Sequence, residues 1–219
     1  MWPFPDAPAA APVDDAAINA KRTYLDEFLP EFDVSDTIAV RVRADAARTW
    51  AALIAVDLIE VGKRKPLVGV LGGLRALPEI VVDLLHGEGP PDAPGRMRLH
   101  DMTELDMDSG GWLLLGERPG EEIALGLVGR FWRPVIEYAQ VDADGFSTFA
   151  EPGYAKTVYA LAVSSREDGT TLLTGTMRTA TTDERARRSF DRYWTFGVGS
   201  GAHVLVRGLL EAVREDAER

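Results

Sequence analysis

The stretch from residue 182 to the C-terminus constrains the fold most, because it predicts one long amphipathic helix that needs a broad apolar surface to lie on. Thr182 and Asp183 are typical helix-capping residues. Apolar side chains then recur at three- and four-residue spacing, namely Phe190, Tyr193, Trp194, Val204, Leu205, Leu209, Ala212 and Val213. Glycines at 197, 199 and 201 interrupt this pattern, and each costs about 1 kcal/mol relative to alanine in a helix interior. We therefore expect the helix to be bent or broken there.

The surface under this helix is predicted to be a sheet, because the preceding chain contains short runs of alternating apolar and polar residues. Residues 37–43 place Ile38, Val40 and Val42 on one face of a strand. Asp45 is positioned to cap one helix, and a second helical stretch follows Pro66. Further strands are expected at residues 97–107, 112–118, 122–131, 146–150, 154–165 and 170–181. The predicted fold is α+β, with a curved antiparallel sheet wrapped around a long C-terminal helix and two helices after the first strand.

The composition excludes several classes of function. The formal net charge of −11 argues against nucleic acid and against an anionic membrane surface as partners. The chain has no cysteine and its three histidines lie far apart, so neither disulfides nor a metal site is predicted, and no cofactor is expected. No apolar run reaches the roughly 18 residues of a membrane span, and no signal peptide is recognisable. We predict a cytoplasmic protein without a membrane span.

Residues 1–20 differ from the rest of the chain. They are rich in alanine and proline and show no periodicity, which is typical of a disordered arm. The remaining residues, 21–219, are then predicted to form a single domain. Trp2 and Phe4 are unusual in such an arm, and docking of these two side chains on the domain is the alternative.

Several segments carry a resemblance to a known superfamily. They are residues 74–78, 129–134, 149–156, 182–194 and 199–201. Together with the element order, they resemble the SRPBCC superfamily, also called START-like or Bet v 1-like, whose fold is the helix-grip fold. The resemblance is to a poorly characterised bacterial branch and covers residues 24–218. It implies a cavity between the sheet and the C-terminal helix. It implies no particular reaction, because members bind, transfer, cyclise or scaffold.

Two polar residues are predicted to lie inside that cavity. The segment 166–169 is a strong turn signal between two strands, and a turn of two or four residues places Tyr159 and Arg178 on the same apolar face. A buried arginine needs a partner, which here is a ligand carboxylate or an acid such as Glu151. The alternative is that this face looks outward and that water solvates Arg178.

Four further residues are candidates for ligand binding. Arg130 and Trp132 share one face of a predicted strand, where a guanidinium beside an aromatic ring could hold an anionic or aromatic ligand. The alternative is that Trp132 packs in the core and Arg130 pairs with Glu117 or Glu122. His203 follows the glycines and would suit acid–base chemistry at a cavity mouth, although its offset from the apolar stripe favours a surface position. Trp194 is predicted to belong mainly to the core and to be able to line the pocket.

Three functions are compatible with these features. The first is binding of a small hydrophobic or amphipathic molecule in the cavity. The second is an enzyme of the polyketide cyclase or dehydratase kind that uses His203, Tyr159 or Arg178 in the same cavity. The third is a protein-interaction module with a filled cavity. No nucleophile–base pair, phosphate loop or metal-ligand spacing is recognisable, so no catalytic residue is predicted. The sequence also predicts no particular oligomeric state.

Overall fold

The computed structural model describes residues 23–65, 95–105 and 112–219, which form an α+β fold. Six strands of this part of the chain make one antiparallel sheet in the order β1-β6-β5-β3-β2, and the short β4 pairs with β3. The strands are β1 (Val34–Val42), β2 (Leu113–Arg118), β3 (Glu122–Arg130), β4 (Glu137–Tyr138), β5 (Ala155–Ser165) and β6 (Thr171–Thr181). The antiparallel sheet and the C-terminal helix of the prediction are therefore confirmed.

The helices surround this sheet. They are α1 (Tyr24–Phe28), α2 (Ala46–Ala55), α3 (Leu58–Arg64), α4 (Leu99–Thr103), α5 (Ala143–Phe146), α6 (Glu184–Tyr193), a π-helical turn (Trp194–Val198) and α7 (Gly199–Ala217). Aspartate carboxylates begin several of them. Asp45 accepts a hydrogen bond from the backbone N–H of Arg48 (2.7 Å), and Asp183 accepts one from Ala186 (2.7 Å). Such caps satisfy backbone donors that have no partner within the helix.

The sheet has two differently covered faces. On the side that faces α7, the apolar residues of β1, β3, β5 and β6 pack against α2, α3, α4 and α7; the buried members include Ile38, Val42, Leu53, Val61, Leu99, Ile123, Leu161, Leu173, Leu210 and Val213. We call this the helix-facing side. The opposite side, which we call the outer face, packs against α1 and α5 through Leu25, Phe146, Val128, Val158 and Ala160. The sheet is thus the middle layer of the domain.

Helix α7 approaches the sheet closely at Gly175 in β6. A Cβ atom at this position would lie 2.9 Å from Cγ1 of Val206, 3.2 Å from Cδ2 of Leu161 and 3.5 Å from Cδ1 of Leu210. The absent side chain therefore allows the helix to lie on the sheet at this point.

The predicted break in the C-terminal helix is absent. Helix α6 continues through the π-helical turn into α7, and Gly199 has ordinary helical dihedral angles of −56° and −47°. The glycine serves a close contact instead. A Cβ atom at Gly199 would lie 2.7 Å from the indole ring of Trp194, so a larger residue would displace that ring. The irregularity predicted at these glycines takes the form of a π-helical turn in a continuous helix.

Two segments predicted as strands form no strand among the described residues: the first contains a short helix, and the second is a turn that follows α5. Within residues 97–107, α4 begins at Leu99 because the Asp101 carboxylate accepts the backbone N–H of Arg98 (2.8 Å). Within residues 146–150, the chain leaves α5 at Phe146, whose ring is fully buried. Residues 106 and 107 lie outside the described part. In the first case, local capping of a short segment outweighs its apolar pattern.

Other predictions fall into two groups. Helix α2 and the hairpins β2–β3 and β5–β6 are confirmed, with ends that differ by one or two residues. The predicted helix after Pro66 and the arm at residues 1–20 lie outside the described residues, whereas α3, which no pattern predicted, is the second helix after β1. Within the described ranges, no helix combines the length and the apolar character that a bilayer crossing requires.

Candidate functional site

One row of four side chains crosses the middle of the helix-facing side. The strand register pairs Leu125 of β3 with Tyr159 of β5, Tyr159 with Met177 of β6, and Met177 with Asp36 of β1. Because directly paired residues of antiparallel strands point to the same face, all four side chains share the face that carries the apolar core. Tyr159 and Asp36 are thus polar groups on a mainly apolar surface.

Tyr159 places a polar hydroxyl group among apolar neighbours in this row. Its neighbours Leu125 and Met177 are buried, whereas Tyr159 keeps some accessible surface. Its ring meets the ring of Trp112 edge to face, with the ring centres 5.8 Å apart. No hydrogen bond joins its hydroxyl group to any described residue. Burial, together with the negative charge of Asp36, raises the pKa of Tyr159 far above its usual range, so the phenol stays protonated and can donate a hydrogen bond.

A histidine–aspartate pair lies at the edge of the same side. The Nδ1 atom of His203, in the first half of α7, lies 2.9 Å from Oδ2 of Asp36 in β1. A carboxylate only accepts hydrogen bonds, so Nδ1–H donates and Nε2 remains available. The exposed fractions of the two side chains are 43% for His203 and 30% for Asp36. His203 therefore faces the sheet at its rim, although its offset from the apolar stripe had favoured a surface position.

The helix above this row has small side chains. Helical periodicity extends the sheet-facing stripe of Leu210 and Val206 back toward the N-terminus to Ala202 and Gly199. Large side chains return only in α6 and in the π-helical turn, where the ring of Trp194 stacks on that of Phe190 with centres 5.8 Å apart. Trp194 thus packs against Phe190 and the cluster at the end of the sheet.

Arg178 does not share a face with Tyr159, and the predicted pairing of these two residues in one cavity is wrong. The register pairs Tyr159 with Met177 and pairs Arg178 with Val158. Val158 belongs to the core of the outer face, so Arg178 points away from α7.

The length of the hairpin loop explains this error. The backbone N–H of Arg166 donates to the carbonyl of Thr170 (2.9 Å), so three residues, an odd number, form the loop. Gly169 adopts the left-handed conformation (φ 78°), which is typical of three-residue hairpin loops. The prediction assumed an even number of loop residues. Because side chains alternate between faces, a change of one loop residue moved the arginine to the opposite face.

Arg178 instead connects α1 to the sheet. Its Nη1 atom donates to the carboxylate of Asp26 (2.9 Å) and to the carbonyl of Leu29 (3.4 Å), and its guanidinium lies 4.6 Å from the ring centre of Phe32. Burial opposes ionisation of Asp26, but hydrogen bonds from Arg178 and Thr23 hold the pKa of this carboxyl group below its usual range. The predicted partner Glu151 is not involved. The arginine is held by protein groups rather than open to a ligand.

Replacing Arg178 with methionine is expected to lower the free energy of unfolding by about 1–2 kcal/mol, because it removes hydrogen bonds to a carboxylate and a ring contact. The expected loss of stability stays small for two reasons. Asp26 is 45% exposed, so water weakens the ion pair, and the buried Arg178 Nε atom has no partner among the described residues, so removing it costs nothing. Urea unfolding measures the change.

Arg188→Met is the matched control, because its pair with Glu184 is on an exposed helix surface (61% and 68% exposed). Its expected cost is below about 0.5 kcal/mol. Equal stability of the two variants would show that Arg178 does not tie α1 to the sheet.

Arg130 and Trp132 have structural contacts. The Arg130 guanidinium bonds Glu137 (2.7 Å) and the carbonyl of Gly153 (3.2 Å), and it lies 4.4 Å from the ring centre of Tyr154. Its acidic partner is therefore Glu137 and not either predicted glutamate. Strand β3 ends at Arg130, so Trp132 lies in the following turn, where it packs half-buried against the cluster around Phe190. The predicted shared strand face is absent.

No protein-family model matches the chain, and neither a curated protein nor a solved structure matches it. The functional argument therefore depends on the geometry of the described residues. Among them, no group of three or more histidine, cysteine or acidic side chains is arranged to hold a metal ion. Among the described residues near this row, the polar groups are the phenol of Tyr159 and the pair of His203 and Asp36, while the hydroxyl groups of Thr157 and Thr179 on the same side bond each other (2.9 Å).

Two residues of this site were missed by the sequence analysis. Asp36 could have been found, because the alternation of β1 extends back from Ile38 by two positions and places Asp36 on the same face. Trp112 gave no such signal, since it lies just before β2 and meets Tyr159 only through the fold. The two described pockets lie elsewhere: the larger is on the outer face, the smaller is beside α3, and Tyr159 lines neither.

Proposed function

We propose that this chain is a helix-grip protein of the SRPBCC kind that binds a small, neutral, hydrophobic molecule between the sheet and α7. The observation that carries the proposal is Tyr159, a partly accessible phenol with no hydrogen-bond partner among the described residues, amid buried apolar neighbours. An unpaired hydroxyl on an otherwise buried face costs free energy, and a ligand acceptor would remove that cost. The element order of the resemblance also supports the proposal.

The charges of the site favour a neutral ligand. The protonated phenol of Tyr159 offers a donor, so the ligand needs a carbonyl or hydroxyl oxygen as an acceptor. The carboxylate of Asp36 lies on the same row and disfavours an anion there. Leu125, Met177 and Trp112 supply apolar contacts for the body of the molecule. With Arg178 on the outer face, no arginine of this row would meet a ligand carboxylate.

Two probes of similar shape test this function, the neutral ketone 2-acetylnaphthalene and the hydrocarbon 2-ethylnaphthalene. We expect Tyr159→Phe to weaken binding of the ketone by about 3–10-fold, the value of one neutral hydrogen bond, and to leave the hydrocarbon unaffected. Fluorescence titration gives both affinities. Stability should change by no more than about 0.5 kcal/mol, because the hydroxyl has no described partner to lose.

Tyr154→Phe serves as the matched control, since this tyrosine packs on the outer-face side beneath Arg130. It should bind both probes as the wild type does. Failure of the wild type to bind either probe, or equal weakening by both variants, would refute the proposed site. If side chains fill the space between the sheet and α7, as in a module that only binds other proteins, the wild type should bind neither probe.

The pair formed by His203 and Asp36 favours a second function, an enzyme that moves protons on the bound ketone. With Nδ1–H donating to Asp36, Nε2 could remove a proton from the carbon next to the carbonyl, while Tyr159 donates to the oxygen; the products are an enol and a protonated imidazole. Proton–deuterium exchange on the methyl group of 2-acetylnaphthalene, followed by NMR, reports this step. Exchange that exceeds the background and is lost in His203→Ala would favour the enzyme over simple binding.

A further inference from the structure

We propose a second binding site on the outer face of the sheet, which takes a small aromatic molecule that carries a carboxylate. The site is a groove of about 540 Å³ between the segment that follows α1, the segment that follows α5 and the ends of β5 and β6. This volume is in the range of small-molecule sites. The groove lies across the sheet from Tyr159, so this site is independent of the function proposed above.

Apolar residues, three of them phenylalanines, line the groove alongside polar ones. They include Phe28, Pro30, Phe32, Phe149, Ala150 and Ala180. The ring of Phe32 is 44% exposed, which is unusual for a large apolar side chain. A flat aromatic molecule would find ring contacts on more than one wall, and such contacts supply most of the affinity of small apolar ligands.

Lys156 supplies the charge that selects a carboxylate. It pairs with Ala180 in the register of β5 and β6, and both residues line the groove. Its ammonium group donates to the carbonyl of Ser147 (2.9 Å) and lies 5.9 Å from the ring centre of Phe146. Among the described residues it has no carboxylate within ion-pair distance. Burial lowers the pKa of Lys156, so an anion in the groove would both pair with it and favour its charged form.

The other charged groups around the groove are already occupied or lie at its rim. The Asp33 carboxylate accepts the backbone N–H (2.8 Å) and the hydroxyl (2.6 Å) of Thr181, and it lies 3.7 Å from Arg187. Arg178 behind the groove is paired with Asp26. Glu31 is exposed and stands at the outer edge, where water screens its charge. Lys156 is therefore the cation available to a ligand in this groove.

The test uses 1-naphthoate and its neutral analogue 1-naphthylmethanol in calorimetric titrations of the full chain. We expect wild type to bind 1-naphthoate saturably at millimolar concentrations or below. Lys156→Met, which keeps the aliphatic stem, should weaken naphthoate about tenfold or more without a change for the alcohol. Lys156→Arg should stay within about threefold of wild type, since it keeps the charge.

Three controls keep the result interpretable. Lys63→Met removes a lysine that pairs with Glu60 on an exposed helix surface, and it should bind naphthoate as wild type does. Arg188→Met, whose pair with Glu184 lies on another exposed helix surface, should also leave naphthoate binding unchanged. Amide chemical shifts should move at Ala180 and Thr181 in β6 and not at His203. Absence of saturable naphthoate binding, equal affinity of Lys156→Met and wild type, or shifts confined to the helix-facing side would each overturn the proposal.

Discussion

Replacing Phe190 with alanine is expected to lower the free energy of unfolding by about 3–5 kcal/mol, as for other buried aromatic residues. The ring is 2% exposed and packs against Leu127, Phe131 and Ala155 at the end of the sheet. Helix α6 is otherwise strongly charged, and its buried residues are Phe190 and the small Ala186. Because alanine offers little area and Tyr193 is only half-buried, the phenylalanine supplies the largest share of the burial that holds α6 on the sheet.

The loss should also reach the candidate site. The indole of Trp194 stacks on Phe190 and covers Gly199, so a cavity at position 190 would free the π-helical turn that leads into α7, the helix that carries His203. Urea unfolding measures the change in stability, and fluorescence titration with 2-acetylnaphthalene measures the effect on binding. Phe196→Ala is the matched control, because this ring is 87% exposed three residues beyond Tyr193 and should cost less than about 0.5 kcal/mol. Similar losses in both variants would show that burial of Phe190 does not anchor the helix.

Replacing Gly175 with valine is expected to cost about 2–3 kcal/mol through overpacking. A Cβ atom alone would approach Val206 to 2.9 Å and Leu161 to 3.2 Å, and valine adds two methyl groups to it. The side chains around position 175 have little room to move, since Leu161 of β5 and Leu210 of α7 are buried at 4% and 0% exposure. The helix must then move away from the sheet. The favourable strand propensity of valine, up to about 1 kcal/mol, offsets only part of this cost.

A second substitution distinguishes this clash from a general effect on the strand. Val206→Ala removes the methyl group nearest to position 175, so Gly175→Val combined with Val206→Ala should lose at least about 1 kcal/mol less than the sum of the single losses. Chemical unfolding of the wild type, the two single variants and the double variant gives the four free energies of this double-mutant cycle. Strictly additive losses would mean that the contact between α7 and Gly175 does not limit the packing.

Most element types could be predicted because their causes are local. The alternation from Ile38 to Val42 reflects a strand with one buried face, and the carboxylates of Asp45 and Asp183 cap helices from positions that the sequence alone identifies. The short helices α4 and α5 were missed for a local reason as well. A single acidic side chain decides each of them, Asp101 and Asp142, and the surrounding apolar residues suit a strand equally well.

The candidate site was predicted only in part. Tyr159 does lie on the helix-facing side and His203 at its rim, whereas Arg178, Arg130 and Trp132 are held by contacts elsewhere. Nothing in the apolar pattern distinguishes these two groups of residues. Their positions follow from the loop length in one hairpin and from the end of β3, which are properties of a few backbone hydrogen bonds.

By itself, the sequence determined the α+β class, the antiparallel hairpins and the helix that covers the sheet, because hydrophobic periodicity and capping act between residues close in the chain. Only the tertiary structure decided which polar groups meet. The contact of Asp36 with His203 joins the first strand to the last helix, and the phenol of Tyr159 faces α7 while Arg178 faces α1. Side-chain direction in a strand reverses with every residue, so a one-residue difference in a loop suffices to exchange the faces of a site.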